Sequence, residues 1–190
     1  MPSTQPSKLL ASLFQHVGDD ERLSVLDIGP AMPETVNFLS HYRCKLFCAD
    51  LFSELPIVAG EEGEPSISER LDTALAYPAH SRFDICLFWN IFNYLSTDAI
   101  AALLHKLRPN LHRRSMAHGF AMHNVNTAQG DHVYGVIDKE SLAVRHRGKP
   151  LPGYAPHGQT QLKRQLGCFN FERTVLLSDS RLEFVLSSKL

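Results

Sequence analysis

The chain has 190 residues, 44% hydrophobic and 21% charged, with 19 basic and 20 acidic side chains and a formal net charge of -1. This length and composition can bury a sizeable core, so we expect residues 1–190 to form one soluble domain. The balanced charge disfavours nucleic acid as a partner, and no apolar run approaches the roughly 20 residues that span a membrane. No secretory signal pattern opens the chain, and we therefore expect a cytoplasmic protein.

The first elements predicted are a helix, a strand and a second helix. Apolar residues recur at helical spacing over residues 9–17, with Ser7 as a possible N-cap and Gly18 as a stop. Residues 23–28 form an apolar run of strand length. A proline then stands where it suits the first turn of a helix, which is predicted over residues 33–42.

The middle of the chain predicts three further strands and a well-marked helix. Residues 45–49 (KLFCA) and 83–89 (FDICLFW) are nearly continuous apolar runs, which suit strands buried on both faces of a parallel sheet. Ser96 caps a helix with apolar residues at helical spacing, and Pro109 ends it. Residues 115–123 predict a fourth strand.

The last segments change character. Residues 159–166 predict a short helix, and residues 169–177 and 181–186 alternate around a polar turn, which is typical of an antiparallel hairpin. The order of elements predicts a doubly wound, mostly parallel α/β sheet with right-handed crossovers, the C-terminal hairpin and one antiparallel edge strand. Residues 124–158 are less regular, and we expect short strands or a lid there.

Four features resemble the class I S-adenosylmethionine-dependent methyltransferases: VLDIG at 25–29, an acid at Asp50 after the second strand, FDICLFWNIFNYLS at 83–96, and the terminal hairpin. The resemblance implies a Rossmann-like methyltransferase fold. In that family the first loop usually reads acid-x-Gly-x-Gly-x-Gly, whereas here Ala31 and Pro33 replace the later glycines. Because a pyrophosphate must lie against the second glycine, this loop disfavours a dinucleotide more than S-adenosylmethionine.

The segment after Asp50 is shorter than the family's. Only 32 residues lie between Asp50 and Phe83, where the family places a helix, a strand and another helix. A parallel crossover takes a dozen or more residues, so we predict that the family's third strand is absent. The end of that strand usually holds the adenine amino group of the cofactor.

The resemblance implies a cofactor site at the carboxyl ends of the strands, where open α/β sheets bind ligands. Asp50 would accept hydrogen bonds from the ribose hydroxyls, or it is a solvated strand end. Gly29 would let the main chain approach the cofactor, or it only makes a tight turn. Trp89 would line the adenine or acceptor pocket, or it belongs to the core. The cofactor-binding candidates are Asp27, Gly29, Pro30, Asp50, Trp89 and Asn90.

Methyl transfer from a sulfonium needs mainly orientation and sometimes a base, and the catalytic candidates are His123, Asn90 and Tyr94. His123 would act as the base, or it is structural. Asn90 is not followed by the Pro-Pro-aromatic pattern of family members that methylate amino groups of bases or glutamine. No histidine or cysteine set has metal-ligand spacing, so no metal is expected.

Residues 124–158 would form a lid or an acceptor-side insertion. They contain a basic cluster, Arg145, His146, Arg147 and Lys149, which is either a solvated loop or a contact for an anionic acceptor.

Two functions stay open. The first is a methyltransferase that uses S-adenosylmethionine, releases S-adenosylhomocysteine and acts on an unknown acceptor, a small molecule or a protein. The second is a catalytically silent domain of the same fold that serves as a binding or regulatory module. Gly29 and Asp50 favour the first, whereas the replaced glycines and the absent strand favour the second. No sequence feature indicates an oligomeric state.

Overall fold

The computed structural model describes residues 3–15, 17–18 and 21–190. Nine strands and four α-helices lie in these ranges, together with short 3₁₀ turns. The strands are β1 (Ser3–Pro6), β2 (Leu23–Asp27), β3 (Cys44–Cys48), β4 (Ile85–Trp89), β5 (Met116–Met122), β6 (His132–Asp138), β7 (Ser141–His146), β8 (Phe169–Leu176) and β9 (Arg181–Ser188). The helices are α1 (Pro33–Leu39), α2 (Ile67–Ala74), α3 (Thr97–Leu107) and α4 (Gln159–Gln165).

Six strands form the main sheet in the order β3, β2, β4, β5, β9, β8. The first four are parallel, and β9 runs antiparallel to both β5 and β8. The doubly wound, mostly parallel sheet with a C-terminal hairpin is therefore confirmed. The strand that runs antiparallel to the parallel strands is β9, and it lies one position inside the edge strand β8. Accordingly, β9 is buried along nearly its whole length, whereas β8 is largely exposed.

The third strand of the resembled family is absent, as predicted. Residues 49–84 contain a 3₁₀ turn and α2 but no strand, and β3 is left at the edge of the sheet. Helix α2 begins with a capping box in which Ser66 and Glu69 bond each other's main chain. The N-cap predicted for α3 is also present, since the Ser96 hydroxyl accepts from Ala99 N at 3.2 Å.

The N-terminal helix predicted over residues 9–17 is mostly wrong. A 3₁₀ helix covers only Leu10–Phe14, residues 17–18 are not helical, and His16 lies outside the described residues. A buried carboxylate sets this geometry: Glu183 of β9 accepts from Lys8 N at 2.9 Å and from Leu9 N at 3.2 Å. Glu183 also bonds His118 Nε2 at 2.9 Å, and both side chains are fully buried.

Residues 124–158 contain short strands, one of the two arrangements expected there. Strands β6 and β7 pair with each other, and β7 pairs with β1, which the sequence did not indicate, to make a second, antiparallel sheet. Strand β6 packs against α1: the Thr35 hydroxyl accepts from Val136 N at 3.0 Å. One hydrophobic cluster contains residues from both sheets.

We predict that Glu183→Gln destabilises the fold by about 3 kcal/mol, because it breaks a buried, multiply bonded carboxylate. Burial opposes ionisation of Glu183, yet the hydrogen bonds from His118, Ser7 and Lys8 hold its pKa at about 2, below the ordinary 4.5. This stabilisation is full above pH 4.5 and is lost as the pH falls through 2. Urea denaturation at pH 7 and pH 3 measures the effect.

The matched control for this prediction is Glu172→Gln on the exposed face of β8. It should change the free energy of unfolding by less than about 0.5 kcal/mol. An equal decrease in the free energy of unfolding for Glu183→Gln and Glu172→Gln would contradict the role assigned to the Glu183 carboxylate.

Candidate functional site

The strand order reverses between β2 and β4, since β3 follows β2 on one side and β4 lies on the other. Ligands of open α/β sheets bind beyond the carboxyl ends at such a point. Asp27 ends β2 and Trp89 ends β4, and the two strands pair with Asp27 opposite Leu87. The topology therefore brings the first loop and Trp89 together.

Asp27 is completely buried, and one of its oxygens receives two hydrogen bonds. Oδ1 accepts from Gly29 N at 2.8 Å and from the Trp89 indole Nε1 at 2.7 Å. Oδ2 has no partner among the described residues. Burial raises the pKa of Asp27 to about 7, although the hydrogen bonds from Gly29 and Trp89 oppose this rise. Asp27 thus ties the first loop to the end of β4.

Trp89 has an unusual backbone and a closely packed side chain. Its φ is 49°, in the left-handed region, and the pairing of β4 with β5 shifts register between Leu87 and Trp89. A non-glycine residue in that region costs about 1–2 kcal/mol. The indole bond to Asp27 and a stacked contact with Tyr134, with ring centroids 5.4 Å apart, offset this cost. The side chain is only 1% exposed.

The indole of Trp89 lies directly against the main chain of Gly29. A Cβ at position 29 would lie 2.9 Å from Trp89 Cδ1 and 3.0 Å from Nε1. Gly29 does not have a positive φ, so a side chain is excluded there by the indole and not by the turn. The first loop therefore packs directly against a side chain of the protein at this glycine.

The start of α1 is covered by the second sheet. A Cβ on Gly135 of β6 would lie 3.1 Å from Met32 Cβ, and Arg145 Nη1 of β7 donates to Glu34 Oε2 at 2.9 Å. Met32 is 6% exposed, whereas Pro30 is half-buried in the loop before it. Met32 and Glu34 therefore contact β6 and β7, whereas Ala31 and Pro33 are exposed.

Asp50, the ribose candidate, lies beside a cation. Burial raises the pKa of its carboxyl, and the positive charge of Arg147 opposes the rise. The Arg147 guanidinium lies over the Phe52 ring, with Cζ 4.7 Å from the ring centroid. Asp50 Oδ1 and Arg147 Nε are both buried without a hydrogen-bond partner in the described chain. Arg147, expected in a solvated basic loop or at an acceptor, points inward instead.

The catalytic candidates differ in their exposure to solvent. Asn90 is 5% exposed, and its Oδ1 has no partner among the described residues, whereas Tyr94 is 3% exposed. The His123 side chain is exposed. Asn90 contributes to a cavity of about 100 Å³ at the ends of β4 and β5. The other residues around this cavity include Asn93, Met122, His132, Tyr154 and Arg181.

Sequence reasoning missed Tyr134 and Arg181, which complete the packing around Trp89. Tyr134 stacks between Trp89 and Phe120, at centroid distances of 5.4 and 4.9 Å. Arg181 donates to the Tyr134 hydroxyl at 2.7 Å and lies over the Phe120 ring. The alternation HVYGVID followed by a polar turn was the available signal for the strand that carries Tyr134.

In residues 3–15, 17–18 and 21–190, no group of three or more histidine, cysteine or acidic side chains is arranged to hold a metal ion. None of the helices in these ranges is both long and apolar enough to cross a bilayer.

The fold has relatives among solved structures, although no protein-family profile and no curated sequence matches the chain. The Burkholderia thailandensis 1,6-didemethyltoxoflavin-N1-methyltransferase, solved with 1,6-didemethyltoxoflavin and S-adenosylhomocysteine, matches at TM-score 0.51 and 13% identity over 95% of this chain and 77% of that chain. The N-methyltransferase NodS from Bradyrhizobium japonicum matches at TM-score 0.51 and 10% identity over 94% of this chain and 92% of that chain. A putative methyltransferase from Thermobifida fusca matches at TM-score 0.51 and 13% identity over 96% of this chain and 79% of that chain.

At these identities the similarity establishes the architecture alone. The protein has the fold of the class I S-adenosylmethionine-dependent methyltransferases, without the third strand of their sheet.

We predict that Gly29→Ala destabilises the fold by about 1–3 kcal/mol, because the new Cβ would overlap the Trp89 indole. Gly148→Ala is the matched control, since a Cβ there meets nothing within 4 Å and its φ is not positive. Urea denaturation measures the free energy of unfolding of both variants. A Gly29→Ala variant as stable as Gly148→Ala would mean that the indole does not occupy this space.

The raised pKa of Asp27 predicts a pH-dependent effect of Asp27→Asn. With a pKa of about 7 in the fold and an ordinary value of 3.8, protonated Asp27 stabilises the fold at low pH, and this contribution is lost as the pH rises through 7. Asparagine keeps the Oδ1 acceptor without the charge. The free energy of unfolding of Asp27→Asn, taken relative to that of wild type, should therefore rise by about 3–4 kcal/mol between pH 4 and pH 8.

Urea denaturation at both pH values measures this change, and Asp138→Asn, at the exposed end of β6, is the control. A stability difference between Asp27→Asn and wild type that does not vary with pH would show that the Asp27 carboxyl titrates normally.

Proposed function

We propose that the protein is a catalytically silent member of the methyltransferase fold, a binding or regulatory module whose own side chains take the place of the cofactor. The observation that carries this proposal is the Trp89 indole lying against Gly29 and bonded to Asp27. It would exclude the amino acid part of S-adenosylmethionine from the first loop.

The other parts of the expected site also fit the cofactor poorly. Arg147 covers the Phe52 ring beside Asp50, where the resemblance puts the ribose. The strand whose end usually holds the adenine amino group is absent. The cavity of about 100 Å³ next to Asn90 is well below the roughly 300–1,000 Å³ of ordinary small-molecule pockets. The residues present therefore do not fit S-adenosylmethionine in this conformation.

The free energy gained by burying the Trp89 side chain supports the same proposal. A tryptophan side chain buries about 150–250 Å², which contributes about 4–6 kcal/mol to stability at about 25 cal/mol per Å². A ligand that drives the indole into water must overcome this term. Its affinity for the protein would fall at least about a thousandfold relative to an already open site.

A second candidate function is an active S-adenosylmethionine-dependent methyltransferase of unknown acceptor. It is favoured by two carboxylate oxygens that have no hydrogen-bond partner among the described residues, Asp27 Oδ2 and Asp50 Oδ1, at the ends of neighbouring parallel strands. Buried acceptors without donors are uncommon in native proteins, and ligand hydroxyl or ammonium groups would satisfy them. In this alternative Trp89 must leave Gly29 before the cofactor binds, and His123, Asn90 or Tyr94 would serve the acceptor.

We predict that millimolar S-adenosylmethionine or S-adenosylhomocysteine changes neither the melting temperature of the wild-type protein nor the heat measured by titration calorimetry. A ligand at 100 times its dissociation constant would add about 2.7 kcal/mol, which a melting experiment detects easily. Stabilisation of the wild type that disappears in Asp50→Ala would overturn the proposal that side chains of the protein take the place of the cofactor, and it would favour the second candidate.

A further inference from the structure

We infer that the open edge of β3 is a dimerisation surface, at which two copies of this chain pair β3 with β3 in an antiparallel register centred on Leu46. Strand β3 lies at the edge of the main sheet because residues 49–84 form no strand that could cover it. The pairing needs no cofactor site and is therefore independent of the proposed function.

The main chain of β3 presents hydrogen-bonding groups to the open side of the sheet. Directly after β3, Ala49 N donates to Asp27 O of β2 at 2.8 Å. Because every second residue of a parallel strand bonds a given neighbour, the peptide groups of Cys44, Leu46 and Cys48 point away from β2. Among the residues that the structure describes, none is hydrogen-bonded to the main chain of Leu46 or Cys48 on that side.

The β3 edge is more regular and less charged than the opposite edge of the main sheet. All of β3 pairs with β2 without a register shift, and it contains no proline. Strand β8, at the other edge, has a register shift between Phe171 and Arg173, and it carries exposed charges at Glu172 and Arg173. Bulges and charges on an edge strand oppose pairing with another chain. The edge of the main sheet that suits a partner strand is therefore β3.

A second copy fits this edge because β3 is complementary to itself. With a two-fold axis at Leu46, that residue would exchange both of its main-chain hydrogen bonds with Leu46 of the second copy, and Cys44 would lie opposite Cys48. These three residues share one face of the sheet, as directly opposite residues must. The Cys48 N–H would donate to the Cys44 carbonyl of the second copy, while Cys44 N keeps its bond to Tyr42 O at 2.8 Å.

The same register places the one charged side chain of β3 opposite an aromatic ring. Lys45 would face Phe47 of the second copy in a non-hydrogen-bonded pair, in which side chains approach closely. Within one chain Lys45 Nζ already lies 4.8 Å from the Phe47 ring centroid, and a cation is attracted to an aromatic face. A register shifted by two residues would place Lys45 opposite Lys45, which is unfavourable. The charge of β3 therefore favours the register centred on Leu46.

Sedimentation velocity of wild type, Leu46→Asp and Leu176→Asp at about 100 µM tests whether β3 forms the dimer. We expect wild type to be a dimer. Leu46→Asp places like charges directly opposite each other and should raise the dissociation constant of the dimer at least about tenfold. Leu176→Asp is the matched control, because Leu176 is 55% exposed on the opposite edge strand, and it should dimerise as wild type does.

Two results of this experiment would overturn the inference. One is a monomeric wild type at that concentration. The other is a folded Leu46→Asp variant that dimerises as tightly as wild type.

Cysteine cross-linking tests the register without a substitution at Leu46. Opposite residues of a hydrogen-bonded pair have Cα atoms about 5.5 Å apart, which a short bifunctional thiol reagent can span. In a Cys168→Ser background, Cys44→Ser and Cys48→Ser should each fail to cross-link alone, since equivalent cysteines of the two copies would lie more than about 13 Å apart. A mixture of the two variants should give a cross-linked dimer. Cross-linking of either variant alone, or none in the mixture, would overturn the inference.

Discussion

A hydrogen bond between two buried side chains, the Trp89 indole and the Asp27 carboxylate, determines the state of the strand ends. It fixes the first loop, because the same Asp27 oxygen also accepts from Gly29 N. It keeps the indole on the main chain of Gly29. It also offsets the left-handed backbone of Trp89, which costs a non-glycine residue about 1–2 kcal/mol.

The second sheet depends on the same arrangement. Tyr134 of β6 stacks on the indole, and Arg181 of the C-terminal hairpin bonds the Tyr134 hydroxyl and Gln5 of β1. The N-terminal strand, the middle hairpin and the C-terminal hairpin therefore meet over Trp89. The Trp89 side chain thus also links the two sheets.

The main sheet was predictable because its strands are short apolar runs, and the count of 32 residues after Asp50 was enough to exclude one strand. The positions of the Trp89 and Arg147 side chains at the strand ends were not predictable. A tryptophan ending an apolar strand is compatible with a core residue, and its left-handed backbone depends on a register shift that leaves no local pattern. The inward direction of Arg147 depends on the pairing of β1, β7 and β6, a contact between distant segments. Residue spacing carries no information on such contacts.

Trp89 is the only tryptophan, so its fluorescence reports directly on the closed site. The most direct test is the emission maximum and acrylamide quenching of the wild-type protein, with and without millimolar S-adenosylhomocysteine. Because the side chain is 1% exposed, emission should be blue-shifted and weakly quenched, and the ligand should change neither. A red shift with stronger quenching on adding S-adenosylhomocysteine would show that the indole yields to the ligand and would contradict a self-occupied cofactor site.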